Sequence, residues 1–269
     1  MKPWREVVDL FAALALARES ACAAGEVLLG GFNGLEEDAV RSKAIPRDLV
    51  TDLDIASERL LVERIRAAFP EHAIEAEEEV VDAEDEEQPR WILDPLDGTI
   101  NFVHGLPFFG VSVALYIGRE AQLGVVHLPR LEETFWAVRG EGAHGPQGRL
   151  KVRETSLLAE AVLATGFPYG RNELEHDNLE NFGRFFYDVR GLRRMGSAAI
   201  DLAYVAAGRL DGFWELHLAS HDVAAGALLV MEAGGVVTDA DGGEDWLRGG
   251  HIVAAGAELQ PLIRERVRH

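Results

Sequence analysis

The period of the hydrophobic positions changes several times along this chain. Over residues 4–29, Ala and Leu recur at helical spacing and predict a long amphipathic helix, broken by Gly30, Gly31 and Gly34. Residues 33–47 are polar and mixed and read as a mobile loop or hairpin. Thr51 or Asp52 can cap a second helix, with Ile55, Leu60, Leu61 and Ile65 at core spacing and Pro70 beyond its end. An acidic run spans 75–87. The pattern then turns to strands over 91–93, 109–117, 122–127 and 134–138, the last three as a meander. Gly140, Gly142, Gly145 and Gly148 surround a hairpin leading to 150–152. After it, a strand at 161–165, helices at 173–187 and 198–207, and a strand at 212–215 follow. A helix at 222–233, strands at 236–237 and 252–254, and a helix at 261–267 end the pattern. Such alternation predicts layers of sheet and helix rather than a simple barrel. No repeat or low-complexity linker interrupts it. The Gly-rich hairpin is the weakest point, dividing the chain into an α+β half, 1–150, and an α/β half, 151–269, that form one compact unit.

Composition narrows the class. With 269 residues, 48% of them hydrophobic, a large core is possible. The formal net charge of -20 repels nucleic acid and anionic membrane, so neither is an expected partner. An enzyme handling phosphate on such a chain needs bound cations to reverse the local field. The single cysteine, Cys22, permits no disulfide within the chain, which suits a reducing cytoplasm, and its Ala-rich surroundings predict a small core residue. Lys2 and Arg5 before the apolar stretch 10–17, with Ala15-Leu16-Ala17, faintly resemble a signal peptide. Glu6 and Asp9 interrupt that approach, and the amphipathic pattern continues to Leu28 and Leu29, which favours a first helix. No segment has the roughly 18 apolar residues needed to span a bilayer.

The densest chemistry lies at Trp91-Ile92-Leu93-Asp94-Pro95-Leu96-Asp97-Gly98-Thr99-Ile100-Asn101-Phe102. A buried strand runs into two aspartates, and a helix can begin at Gly98 and Thr99. Paired carboxylates suit hard divalent cations, and free N–H groups at a helix start suit phosphate. Together they suggest metal-assisted chemistry on a phosphate ester. Taken alone, Asp-Pro and Asp-Gly mark turns more often than active sites. Three further acidic segments could converge on the pair: Glu77-Glu78-Glu79, Asp48 to Asp54, and Asp222. Singly, Asp222 reads as a helix cap and Glu77 as part of a solvated acidic face.

In order and spacing, these segments resemble the inositol monophosphatase family over nearly the whole chain. The resemblance is carried by Asp48-Leu49-Val50-Thr51, Glu77-Glu78, the segment from Trp91 to Thr99, Asn101-Phe102-Val103-His104 and Gly124-Val125-Val126. It continues through Arg193-Arg194-Met195-Gly196-Ser197-Ala198-Ala199, Asp211-Gly212-Phe213-Trp214-Glu215, Asp222-Val223-Ala224 and Glu232-Ala233-Gly234-Gly235. The stretches at 193–199 and 211–215 look like the bacterial branch.

The resemblance implies an αβαβα five-layer sandwich of the inositol monophosphatase/fructose-1,6-bisphosphatase type, working as a homodimer. It implies that Glu77, Asp94, the Leu96 carbonyl, Asp97 and Asp222 hold metal, roughly two or three Mg²⁺ per subunit. Thr99 would orient the attacking water, with Asp54 and Glu77 polarising it. The Gly98 and Thr99 N–H groups would cradle phosphate. Asp97, Ser197, Ala198, Glu215 and Asp222 would face the substrate, and Lys43 would lie on a mobile loop near the metals. The implied activity is hydrolysis of small polyol phosphates, inositol 1-phosphate first, with lithium sensitivity. Histidinol phosphate and fructose 1,6-bisphosphate are alternatives, and a non-catalytic interaction scaffold is the alternative of another class. Three positions depart from the family pattern: Ala76 where Gly is frequent, Ile100 where a second Thr is common, and His221 where an aromatic residue, often Trp, precedes the last aspartate.

Overall fold

A computed structural model describes residues 8–34, 39–43, 45–83 and 88–269. The first helix, α1 (Leu10–Gly31), is capped by Asp9, whose carboxylate accepts the Phe11 and Ala12 N–H groups at 3.1 and 3.0 Å. The expected start at residue 4 lies outside the described residues. Gly30 and Gly31 do not break the helix; it ends at Phe32, whose extended backbone turns the chain away. Cys22 is only half-buried on α1, rather than a core residue. A short hairpin, β1 (Val40–Ser42) and β2 (Leu49–Thr51), feeds α2 (Asp52–Ala68). No helix among the described residues is long and apolar enough to cross a membrane.

The main sheet has seven strands in sequence order. They are β3 (Ala73–Ala76), β4 (Arg90–Asp97), β5 (Gly110–Ile117), β6 (Glu120–Leu128), β7 (Glu133–Val138), β8 (Gly142–Gly145) and β9 (Gly148–Arg149). β3 and β4 are parallel and the rest antiparallel. The five-stranded sheet runs β11-β10-β12-β14-β13, from β10 (Val162–Thr165), β11 (Gly191–Arg193), β12 (Gly212–Leu216), β13 (Val236–Thr238) and β14 (His251–Ala255). The remaining helices are α3 (Thr99–Val103), α4 (Leu179–Phe186), α5 (Ala198–Ala206), α6 (Ser220–Glu232) and α7 (Leu259–Arg264).

Strand alternation sorts these elements into layers, because successive side chains point to opposite faces. On β4 and β5, Trp91, Leu93, Val111, Val113 and Leu115 pack with α1 and α2, while Ile92, Ala114 and Tyr116 pack with α5 and α6. On β12 and β14, Phe213, Ile252 and Ala254 meet that same α5/α6 layer, while Trp214, Val253 and Ala255 face α7 and Phe185 of α4. The result is α1/α2, large sheet, α5/α6, small sheet, α4/α7: the expected αβαβα sandwich. The central layer is thin because α6 is built from small residues. A Cβ on Gly124 of β6 would lie 2.8 Å from the Ala225 carbonyl oxygen, so only Gly lets strand and helix approach that closely.

One expectation fails for a local reason. The helix expected at 173–187 is only α4, because Asn178 sits at φ 74° and turns inward. Its side chain donates to Thr165 Oγ1 (2.8 Å) and to the Gly166 carbonyl (2.6 Å), and accepts the Trp214 indole N–H (2.8 Å). Asn178→Ala is expected to destabilise the fold by about 2 kcal/mol, since it strands the buried indole N–H and puts Ala in the left-handed region. An unchanged urea midpoint would contradict this role.

Candidate active site

The site opens where β4 ends. Asp94 and Asp97 are three apart, so a regular strand would point them to opposite faces. The β4–β5 register instead slips: Asp94 pairs with Ser112 and Asp97 with Gly110, leaving one extra residue on β4. This bulge turns both carboxylates toward the same cavity. Pro95 tolerates it, having no N–H to lose, and its carbonyl accepts the Ser57 hydroxyl at 2.9 Å. Gly98 follows at φ 93°, where a Cβ would lie 2.8 Å from the Phe108 carbonyl oxygen, and Thr99 begins α3.

Asp222 reaches this point from the first turn of α6, where it also accepts the Ala219 N–H at 2.6 Å. One ligand atom from each of Asp94, Asp97 and Asp222 lies within 4.8 Å of the others. A second set, Glu77, Asp94 and His221, meets the same limit. Asp97 is aimed by the Ser197 hydroxyl and the Ala199 N–H, both at 2.7 Å. The Ser197 proton is thereby committed to Asp97 while its oxygen caps α5.

The loop bearing Glu77 is held by a residue that sequence reasoning missed. Glu58, fully buried on α2, accepts the N–H groups of Glu78, Glu79 and Val80 at 2.7, 2.8 and 3.0 Å. Asp54, one turn earlier, closes a capping box with Thr51 and receives the Thr99 hydroxyl at 3.3 Å, with the Leu96 carbonyl as the alternative acceptor at 3.1 Å. From the β1–β2 hairpin, Lys43 places its ammonium 2.7 Å from both Glu77 and Glu78.

Electrostatics show what kind of ligand these side chains suit. Burial, with repulsion from Glu77, Asp97 and Asp222, pushes the Asp94 carboxyl well above its ordinary range. Asp97 and Asp222 are also raised, chiefly by burial. Burial raises Asp54 to about 6, against the bonds from Thr51. Burial and Asp222 raise Glu215 to about 8, opposed by Arg194. Burial lowers the Lys43 pKa, but Glu77 and Glu78 raise it further, so it stays charged. One ammonium and the Arg194 guanidinium cannot offset this many converging carboxylates. An all-oxygen donor set with surplus negative charge fits a hard divalent cation.

The cavity measures about 340 Å³. Lys43, Glu77, Asp94, Leu96, Asp97, Gly98, Thr99, Ser197, Ala198, Glu215, His221 and Asp222 all line it, while Asp54 lies behind Thr99. Asp48, from the acidic segment expected to converge here, lines it too, as do Tyr169, Arg194 and His217, which were given no site role from the sequence. Asp201, buried on α5 with one oxygen lacking a partner, was also missed; burial, Glu215 and Asp97 raise its pKa well above the ordinary range. Its signal was a lone acid at a core-facing helix position.

The Inositol monophosphatase family model matches residues 10–269. The chain belongs to the inositol monophosphatase family. The protein named Nus factor SuhB from Pasteurella multocida is 41% identical over 254 residues, 94% of this chain and 95% of its own. The protein named inositol-1-monophosphatase from Mesorhizobium japonicum is 40% identical over 252 residues, 93% of this chain and 94% of its own. The solved structure of inositol monophosphatase from Anabaena superposes with a TM-score of 0.87 at 38% identity, covering 96% of each chain. Family membership supports a phosphatase, and the two kinds of name among close relatives leave its use in the cell to the chemistry of the site.

Proposed function

We propose that this chain is a Mg²⁺-dependent phosphatase of small polyol phosphate monoesters, inositol 1-phosphate first among them, acting in the cytoplasm. The observation that carries the reading is the convergence of Glu77, Asp94, Asp97 and Asp222 on one cavity, with the buried Asp94 common to two ligand sets. Those carboxylates, with the Leu96 carbonyl, would hold the cations. Bound there, Mg²⁺ supplies Lewis acidity, which acidifies water and neutralises charge on the phosphoryl oxygens.

The chain's own groups do the rest. Thr99 accepts a hydrogen bond from the attacking water while its own proton points to Asp54, whose pKa of about 6 suits a proton acceptor near neutrality. The water oxygen forms its bond to phosphorus as the ester oxygen leaves in line, and the departing alkoxide takes its proton from solvent. Gly98 and Thr99 N–H groups steady the phosphate, and Glu77 helps polarise the water. Asp97, Ser197, Ala198, Glu215 and Asp222 face the polyol. Arg194 beside Glu215 disfavours the ammonium of histidinol phosphate and so favours an uncharged polyol.

Phosphate release from inositol 1-phosphate, fructose 1,6-bisphosphate and histidinol phosphate, with Mg²⁺ and with EDTA, tests the reading. Metal-dependent turnover that prefers inositol 1-phosphate and falls with Li⁺ is expected. No turnover with Mg²⁺ present would overturn it in favour of a scaffold role, which the name Nus factor SuhB among close relatives favours as a second reading. Thr99→Ala is expected to lower kcat by about 10²–10³-fold with KM little changed, since it removes the group that orients the water. Steady-state kinetics that leave kcat intact would remove Thr99 from the mechanism.

A homodimer is part of the same reading. Leu179, Phe186 and Tyr187 are exposed together on and just after α4, an apolar patch that a second copy would cover. Light scattering after size exclusion is expected to give twice the chain mass of 29.4 kDa, and a monomer would contradict it.

A further inference from the structure

His221 is one of three positions at which this chain departs from the family pattern, and its ring lies among the groups that would bind metal. One ring nitrogen lies within 4.8 Å of ligand oxygens of both Glu77 and Asp94. Nε2 stands 4.0 Å from Asp222 Oδ1, beyond hydrogen-bond distance, and neither ring nitrogen has a hydrogen-bond partner among the described residues. The backbone beneath it is fixed on three sides. Ser220, immediately before it, donates its hydroxyl to buried Glu75. Asp222, immediately after it, accepts the Ala219 N–H at 2.6 Å. The Ser112 hydroxyl approaches the His221 carbonyl at 3.5 Å. An imidazole carried on a fixed backbone, with uncommitted nitrogens facing two carboxylates across a polar cavity, is a ligand geometry rather than a packing one.

We propose that His221 supplies a nitrogen ligand to the cation held by Glu77 and Asp94, so that this position prefers Mn²⁺, Co²⁺ or Zn²⁺ over Mg²⁺. The inference rests on the metal-dependent reading above and goes beyond it. Asp94, Asp97 and Asp222 form an all-oxygen set, which suits Mg²⁺. Glu77, Asp94 and His221 form a mixed nitrogen and oxygen set, and imidazole raises affinity for first-row transition ions far more than for Mg²⁺. Asp94 belongs to both, so two neighbouring positions of unlike preference share one carboxylate.

The test is spectroscopic and does not depend on turnover. Purified full-length protein is loaded with Mn²⁺ and examined by electron spin echo envelope modulation for nitrogen coupling. Mn²⁺ and Mg²⁺ affinities are measured beside it by competition calorimetry. Wild type is expected to show directly bound nitrogen. His221→Gln is expected to lose that signal and to lower the Mn²⁺-over-Mg²⁺ preference by about tenfold, while its circular dichroism stays unchanged. Mn²⁺ bound without nitrogen coupling would overturn the inference alone. Coupling that survives in His221→Gln would also overturn it, assigning the nitrogen elsewhere, with His217 the other histidine that lines the same cavity. Absence of any Mn²⁺ or Mg²⁺ binding would overturn both this inference and the metal-dependent reading. A misfolded His221→Gln is replaced by His221→Asn, judged by the same two measurements.

Discussion

Asp94→Asn is expected to lower phosphate release by at least about 10³-fold while leaving a folded protein. Asp94 is the one carboxylate common to both ligand sets, so its loss disables two cation positions at once. Several kcal/mol of charge stabilisation in the transition state correspond to that factor. The fold should survive because Asn keeps the shape, and its side-chain oxygen can still accept the Leu96 N–H, which Asp94 Oδ1 receives at 3.0 Å. The side chain is buried among Glu77, Asp97 and Asp222, so removing its charge relieves repulsion. The metal-free variant should therefore melt higher than metal-free wild type at pH 8, although its Mg²⁺-bound form melts lower than that of wild type. Calorimetry with EDTA and with Mg²⁺, beside the phosphate assay, reads both effects. Turnover like that of wild type would remove Asp94 from the metal assignment, and with it the two-set description of the site.

Much of this architecture could be read from the chain, but unevenly. The long strands of the large sheet and the helix at 198–207 were legible because their apolar positions keep one period for many residues. β3 and β11 were not, since Ala73-Ile74-Glu75-Ala76 and Gly191-Leu192-Arg193 carry neither a sustained apolar run nor a clear alternation. The Asp94/Asp97 pair stood out by residue type, yet its usefulness depends on the bulge. That bulge is set by pairing with β5, which no local pattern announces. Glu58 shows a signal that was present and unused. Asp54, Ser57, Glu58, Leu61, Val62 and Ile65 form one buried stripe on α2, polar at the end nearest the site and apolar beyond it. Charged residues at the core-facing positions of a helix mark a buried polar task. Lys43, Asp222 and Glu215 come from segments far apart in the chain. Only the family resemblance brought them together in advance, and their meeting in one cavity is a property of the layers rather than of any motif.

The same crowding of acids that would bind metal should make the metal-free protein weaken as pH rises. A carboxyl whose folded pKa lies above its unfolded value binds more protons folded than unfolded, so stability falls as pH climbs between the two values. Glu215 is raised to about 8 from an ordinary 4.5, and Asp94 and Asp97 are raised as well, all chiefly by burial. Histidines act in the opposite sense. Burial lowers His72 to about 4, so its contribution grows with pH and most of it is in place by about 6.5, where half of the unfolded imidazole has lost its proton. Above pH 6.5 the acids therefore outweigh the small remainder from the histidines. Between pH 6.5 and 9, urea titrations in EDTA are expected to show a loss of about 2 kcal/mol from Glu215 alone, and more from the Asp94 and Asp97 pair. Saturating Mg²⁺ should flatten this slope, because cations favour the ionised carboxylates and add binding free energy to the folded state only. The stabilisation by Mg²⁺ should thus be larger at pH 9 than at pH 6.5. A metal-free stability that stays level or rises across this window would mean that the carboxylates are already neutralised without a cation, and the physical case for a metal site would fail.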